Sequence, residues 1–166
     1  MLAYQNNKKG ISIIEILVAI TIITIGLFSL FSLTNFSLKA RSHNERNIMA
    51  VNLSSEMIEA VRIVRDENWN NISGLTMGVD YYPVQSGAAP DWQWVLQSGS
   101  ESVLGGQYLR RVLFEDVSRD TNDDIEDVYN FANDDSNTKK VTAKVSWTEA
   151  GVSRQIEIVT YITNWR

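Results

Sequence analysis

The chain has 166 residues, a net charge of −5 at neutral pH and no cysteine. This length suits one domain with its own core, and the lack of cysteine excludes a disulfide framework, a thiolate metal site and a cysteine nucleophile. The acidic balance also lacks the basic footprint of a nucleic-acid binder, so no nucleic-acid partner is expected.

The first distinctive element is a short basic stretch followed by a long apolar run. Lys8 and Lys9 precede Gly10, four uncharged residues lead to Glu15, and residues 16–38 then carry no charge. At about 1.5 Å per residue, a helix over this run reaches about 35 Å, enough to cross a hydrocarbon core of about 30 Å. A secretory signal peptide has an apolar region of only about 7–15 residues. The run therefore predicts a retained membrane helix.

This arrangement resembles the type III signal peptide of type IV prepilins and of the pseudopilins of type II secretion. In that family a basic leader ends in glycine, a prepilin peptidase cuts after it on the cytoplasmic side, and glutamate is the fifth residue after the cut. The resemblance covers residues 8–40 and implies cleavage between Gly10 and Ile11, with an assembly role for Glu15. Phenylalanine often begins the mature chain in this family, where this sequence has Ile11. Two short stretches of the run lean towards PilV-type and GspI-type minor pilins, residues 17–19 and 25–27.

The position of Glu15, at the start of a membrane helix, is energetically unfavourable for a carboxylate. A carboxylate at the start of a membrane helix costs a few kcal/mol, so such a residue usually has a partner. Cleavage after Gly10 would leave an ammonium group on Ile11, which the family N-methylates without loss of charge. In a staggered bundle this cation can pair with Glu15 of a neighbouring subunit and set the register, as a lone polar residue does in a coiled coil. The alternative is that Glu15 lies among the headgroups of a plain single-pass anchor.

The helix is expected to continue past the membrane, because residues 27–66 contain neither proline nor glycine. Apolar residues spaced three and four apart form one stripe along this part: Ala50, Leu53, Met57, Val61 and Val64. We predict a leader at residues 1–10, one helix over residues 11–67, and a β-rich head at residues 68–166 packed on the stripe.

The head is predicted to begin with a loop at residues 68–80 and to continue as a set of short strands. The candidate strands are residues 81–84, 92–96, 107–117, 140–148 and 152–163. Antiparallel strands laid across the helix would bury both apolar faces in one pair of layers. We therefore predict an α+β fold, a long N-terminal helix packed against an antiparallel sheet, which is also the architecture that the resemblance implies.

An acidic stretch before the last two strands has the spacing of a calcium loop. Asp120, Asn122 and Asp124 occupy every second position of this stretch, and their side-chain oxygens can converge on one hard cation. An EF-hand is disfavoured, because its sixth position needs glycine and holds Ile125, and its twelfth needs glutamate and holds Phe131. A looser calcium loop and a solvated acidic loop both stay open, and no other cofactor is expected. Residues 133–137 are predicted to form a turn.

The aromatic residues and the single histidine suggest no catalytic site. Trp92 and Trp94 would share one strand face and could stack on a sugar, although packing in a core or between subunits is the commoner role of tryptophan. His43 lies on a polar helical stretch. The sequence offers no Ser/His/Asp set, phosphate loop or metal-binding helix, so the chain is not expected to be an enzyme.

Two functions fit these features. The resemblance implies a structural, minor subunit of a type IV pilus or of a type II secretion-like pseudopilus. Its partners would be other pilin subunits, the prepilin peptidase, the inner-membrane assembly platform and the membrane, and it would pass from the cytoplasmic membrane into an extracellular filament. The alternative is a single-pass, membrane-anchored binding or adhesion domain that does not polymerise. Gly10 and Glu15 distinguish the two, since only a filament subunit needs both.

Overall fold

The computed structural model describes Gly10 and residues 12–165; Gly10 is the one residue of the predicted leader among them. Contacts divide the chain into two units, residues 1–45 and 46–166. The described helices are α1 (Ile13–Glu67) and α2 (Asn70–Ser73), and a single 3₁₀ turn covers Phe131–Asn133. The strands are β1 (Asp80–Ser86), β2 (Gln93–Ser98), β3 (Glu101–Val103), β4 (Tyr108–Ser118), β5 (Asp134–Glu149) and β6 (Val152–Thr163).

The C-terminal part of α1 buries the stripe that its spacing predicts. All five stripe residues are buried: Ala50, Leu53, Met57, Val61 and Val64. A surface ion pair follows the helical i, i+3 spacing on another face, with 2.6 Å between Arg62 Nη1 and Glu59 Oε1. The helix thus presents one apolar face to the sheet and a charged face to solvent.

The prediction of a loop at residues 68–80 is wrong in two places. Residues 70–73 form α2, and β1 already begins at Asp80. The short helix forms because Asn68 Oδ1 accepts a hydrogen bond from the N–H of Asn70 at 2.9 Å, and because Ile72 is fully buried in the core. Burial of one isoleucine offsets the weak helix propensity of the neighbouring asparagines.

The strands form one antiparallel sheet in the order β2-β1-β4-β5-β6, and β3 pairs with β4. The β5–β6 pairing is continuous from Thr138↔Thr163 to Glu149↔Val152. The turn between these strands lies at Ala150 and Gly151, which take φ angles of 49° and 81°. This left-handed pair is the conformation that two-residue hairpin turns favour, and glycine adopts it without steric cost.

The core lies between α1 and the inward face of the sheet. Met57 and Val61 of the helix pack in one buried cluster with Val112, Phe114 and residues of β5. Tyr81 meets Phe114 edge to face, with 5.9 Å between ring centroids, an arrangement that aromatic quadrupoles favour. The predicted α+β fold, a long N-terminal helix with an antiparallel sheet, is confirmed.

Two differences from the predicted strands need correction. The three-residue strand β3 was not predicted, and β5 begins at Asp134 although residues 133–137 were expected to form a turn. Pairing of β4 with β5 shifts register between Asp116 and Ser118, which brings Ser118 opposite Asp134. A bulge of this kind lets polar residues with a high turn propensity extend the strand, because the partner strand supplies their hydrogen bonds.

Candidate functional site

The predicted processing site lies just ahead of α1. Gly10 is exposed, and a Cβ at this position would meet no atom of the described part of the chain within 4 Å. Ile11, the predicted first mature residue, lies outside the described residues. Glu15 is in the first turn of α1, and its N–H donates to the carbonyl of Ser12 at 3.0 Å. A carboxylate in the first turn also complements the positive end of the helix dipole.

The unit of residues 1–45 exposes a continuous apolar surface on α1. Between residues 13 and 38, every large apolar side chain is exposed, from 48% at Ile16 to 79% at Ile13. By length and composition, α1 is a helix that could cross a membrane. Exposure of apolar groups on this scale in water is unfavourable, so the surface calls for lipid or protein neighbours.

Most polar side chains within this apolar segment bond to their own helix. Thr21, Thr24, Ser29 and Thr34 donate their hydroxyls to the carbonyls four residues earlier at 2.7–2.9 Å, and Asn35 donates in the same way at 3.1 Å. Satisfying these groups within the helix removes most of the cost of placing them in hydrocarbon. The segment is therefore compatible with a bilayer despite its hydroxyls.

The predicted calcium residues form a hydrogen-bonded turn between β4 and β5. Asp120 Oδ1 accepts from the N–H groups of Asn122 and Asp124 at 2.8 and 3.0 Å, and Oδ2 accepts from Asn122 Nδ2 at 3.4 Å. These bonds lower the pKa of Asp120; the bond from the Asp124 N–H has the largest effect, and that from the Asn122 N–H comes next. Asp120 is the acceptor that closes the turn, and Asp124 contributes its backbone N–H to these bonds.

Within Gly10 and residues 12–165, no group of three or more His, Asp or Glu residues is placed to hold a metal ion, in the acidic loop or outside it. The predicted calcium set contains an amide, Asn122, beside two carboxylates. Calcium binding by this loop stays a prediction.

Arg119 holds the acidic loop to β5. Its Nε donates to Asp135 Oδ2 at 2.6 Å and its Nη1 donates to the carbonyl of Asp123 at 2.8 Å. Burial alone would raise the pKa of Asp135, but hydrogen bonds from Arg119, Thr138 and the Asn137 N–H together lower it. The loop thus contains an ion pair that fixes its base to the sheet.

Trp92 and Trp94, for which sugar stacking was the less common alternative to packing, differ in burial. Trp92 precedes β2 and is 55% exposed, whereas Trp94 lies in β2 and packs against the core. Trp147 is buried beside Tyr108, with 6.0 Å between ring centroids. Packing is therefore the role of Trp94 and Trp147.

Sequence reasoning missed two features of the head. Arg110 lies on the inward face of β4, where it is hydrogen-bonded to carboxylates of α1 and β3. Its burial could have been inferred from the strand alternation, which places it on the same face as Tyr108 and Val112. Val128 and Phe131, in the loop between β4 and β5, are 80% and 85% exposed to solvent. Nothing in the local sequence separates exposed from buried apolar residues in a loop.

The comparison with protein families gives one result. Residues 5–31 match the model described as the prokaryotic N-terminal methylation motif, a range that includes Gly10, Ile11 and Glu15. No curated protein and no solved structure matches the chain. The N-terminal region is therefore a type IV prepilin-like type III signal peptide, as the sequence resemblance implied, without a PilV-type or GspI-type assignment.

Together with the exposed apolar part of α1, this match supports a type IV pilin-like or pseudopilin-like precursor and a membrane anchor at its N-terminal helix. Proteins of this type are structural rather than catalytic.

Proposed function

We propose that the chain is a structural, minor subunit of a type IV pilus or of a type II secretion-like pseudopilus. In this proposal a prepilin peptidase cuts between Gly10 and Ile11, Ile11 is N-methylated, and the mature chain polymerises through α1. The observation that carries it is the methylation-motif match at residues 5–31, which overlaps the part of α1 with an exposed apolar surface. Its partners are other pilin subunits, the peptidase and the inner-membrane assembly platform.

Glu15 would serve as the assembly charge. Cleavage creates an ammonium group on Ile11, and Glu15 is the fifth residue of the mature chain. A carboxylate in an apolar environment is favourable only when a cation neutralises it. In a staggered bundle of helices, Glu15 of one subunit pairs with the Ile11 ammonium of the next, and this pair fixes the axial register.

The cellular location of the chain follows from the proposed cleavage and polymerisation. The precursor lies in the cytoplasmic membrane through α1, and the processed chain moves into a filament at the cell surface. The minor role rests on the leaning of the apolar run towards PilV-type and GspI-type subunits. A minor subunit needs the same helix as the filament's main component but is present at a lower copy number.

The test is co-expression of the full chain with a prepilin peptidase and an assembly platform, followed by shearing. We expect mass spectrometry to find the processed chain in sheared filaments, starting at an N-methylated Ile11. A processed chain that stays entirely in the membrane would instead support the single-pass binding or adhesion domain. An intact precursor, beside a control pilin that is cut, would contradict both the cleavage and the filament role.

A further inference from the structure

The start of α1 lies close behind the predicted scissile bond. The helix begins at Ile13, and Gly10 lies outside it and is exposed. The carbonyl of Ser12 accepts from the N–H of Ile16 at 3.3 Å, the first i→i+4 bond of α1 among the described residues, and from the N–H of Glu15 at 3.0 Å. A residue that precedes a helix while its carbonyl accepts the first helical bond is the N-cap. Ser12 is therefore the N-cap of α1, two residues after Gly10.

Serine is one of the residue types that the N-cap position prefers. Its short side chain can accept a hydrogen bond from a first-turn N–H, which alanine at the same position cannot do. Serine followed three residues later by glutamate, just before an apolar run, is also the sequence signature of a helix start. Ser12 and Glu15 have this spacing. Both the position and the residue type of Ser12 thus favour a helix that begins here.

Little else in the sequence prevents the helix from beginning earlier. Residues 1–11 contain no proline, and Gly10 is their single glycine. Several residue types before it are good helix formers: Leu2, Ala3, Gln5 and Lys8. Next to hydrocarbon, helix formation is also favoured because it pairs backbone groups that lipid cannot pair. The residue at the cap therefore decides which peptide groups the first turn includes.

The carbonyl of Gly10 is the group that cleavage must reach. Hydrolysis adds water to its carbonyl carbon and breaks the bond to the nitrogen of Ile11, which leaves a carboxylate on Gly10 and an ammonium on Ile11. In a helix that began one turn earlier, this carbonyl would accept from the N–H of Ile14 and be enclosed by the first turn. Because α1 begins at Ile13, the carbonyl is not part of its hydrogen-bond ladder.

We propose that Ser12 is a positioning residue for this cleavage. As the N-cap, it stops α1 short of Gly10 and keeps the scissile carbonyl outside the helix. This inference rests on the proposed cleavage by a prepilin peptidase, and it gives a role to a side chain that the proposed function does not use. Since Ser12 acts through the helix start, another cap-forming side chain of different shape should serve equally well.

Cleavage of the full-length precursor in detergent micelles by a purified prepilin peptidase tests this role, with mass spectrometry measuring the loss of residues 1–10. We expect Ser12→Ala to be cut about three- to tenfold more slowly, because loss of the cap lets the helix take in Gly10. Ser12→Asn, which caps without a hydroxyl, should be cut within about twofold of the natural rate. The matched control is Ser29→Ala, which removes another hydroxyl of α1 and should leave the rate unchanged.

Two further measurements separate the helix start from direct recognition of serine by the peptidase. In the same micelles, the ¹³Cα chemical shift of Gly10 should move towards helical values in Ser12→Ala and stay unchanged in Ser12→Asn. Ile13→Pro added to Ser12→Ala should restore cleavage, because proline is tolerated in a first turn but clashes with a turn before it, so the helix cannot extend backwards.

Equal cleavage of the natural chain and Ser12→Ala would overturn the role of Ser12 and leave the proposed function standing. A slow Ser12→Ala with an unchanged Gly10 shift and no rescue by proline would also overturn it, since serine would then act by direct contact with the peptidase. If the natural chain is not cut beside a control pilin that is, the proposed function fails at its first step, and the role of Ser12 in processing fails with it.

Discussion

Arg110, on β4, donates from Nη1 to Oε1 of Glu56, on α1, across 2.9 Å, and so ties the sheet to the helix. Its Nε donates to Glu101 Oε2, on β3, at 2.7 Å. Burial alone would lower the pKa of Arg110, but the bonds to Glu56 and Glu101 raise it above its ordinary value. One buried cation therefore joins three elements of the head.

Replacing Arg110 should destabilise the head. Arg110→Met leaves Glu56 and Glu101 without their shared cation, and losing one partner of a buried pair costs about 3–5 kcal/mol. We expect about 2–3 kcal/mol, because Glu56 is half exposed and can recover water. Urea unfolding of the full chain in detergent measures this. The control is Arg62→Met, whose exposed pair with Glu59 should contribute about 0.5 kcal/mol or less. Equal losses in the two variants would contradict the role of Arg110.

Processing should depend on the missing side chain of Gly10. Since a Cβ at this position meets no atom of the described residues within 4 Å, Gly10→Val should leave folding unchanged and block cleavage at the peptidase. The measurement is the mass of the chain after co-expression with the peptidase. Gly26→Ala, another glycine with open space around its Cβ position, should be cut like the natural chain. Cleavage of Gly10→Val at the normal rate would count against the predicted scissile bond.

Glu15→Ala should leave insertion and cleavage intact and reduce entry into filaments. Hydrocarbon accepts alanine more readily than an ionised carboxylate, so insertion becomes easier. In the filament, the Ile11 ammonium would lose its partner at a cost of about 3–5 kcal/mol. Glu15→Gln should be nearly as damaging, because it keeps shape but not charge. The measurement is the processed fraction in sheared filaments, and two variants that assemble like the natural chain would refute the charge pair.

Calcium binding at Asp120, Asn122 and Asp124 predicts a rise in melting temperature at millimolar calcium, since a ligand of the folded state stabilises it. Asp120→Ala should remove that rise and also lower the melting temperature in the presence of a chelator, because the N–H groups of Asn122 and Asp124 lose their acceptor. Asp127→Ala, in the same acidic stretch, is the matched control. A melting temperature insensitive to calcium would leave Asp120 with a structural role alone.

The ionised carboxylate of Asp135 should stabilise the folded chain, and this stabilisation should be lost at acidic pH. Its folded pKa is lowered from an unfolded value of about 3.9, so the contribution is complete above that value and is lost as pH falls through the folded pKa. Asp135→Asn should therefore show a smaller loss of melting temperature between about pH 4 and pH 2 than the natural chain. Parallel pH profiles for the two proteins would show that the Arg119–Asp135 pair does not provide this dependence.

Local patterns were sufficient for much of the fold. The helix could be followed to Glu67 because residues 27–66 contain no proline or glycine, and the β5–β6 hairpin could be placed because Val141, Ala143 and Val145 alternate with polar residues. The signal-peptide residues were also predictable, since Gly10 and Glu15 are defined by their spacing in one short stretch.

The remaining features depend on parts of the chain that are distant in sequence. Asp134 extends β5 only because a register shift in β4 brings Ser118 opposite to it. Arg110 is buried only because α1 and β3 each supply a carboxylate. Whether Phe131 faces the core or solvent is decided by the whole loop, so its exposure could not be predicted from its own neighbours.

The bonds from Thr21, Thr24 and Ser29 to carbonyls of their own helix have a consequence for leaving the membrane. A segment that passes from lipid to the interior of the proposed filament exchanges one apolar solvent for another. As long as α1 stays helical, these hydroxyls keep their acceptors, and the exchange breaks none of the three bonds. Side-chain packing then decides the balance between the two environments, and thickness or saturation of the bilayer should shift it.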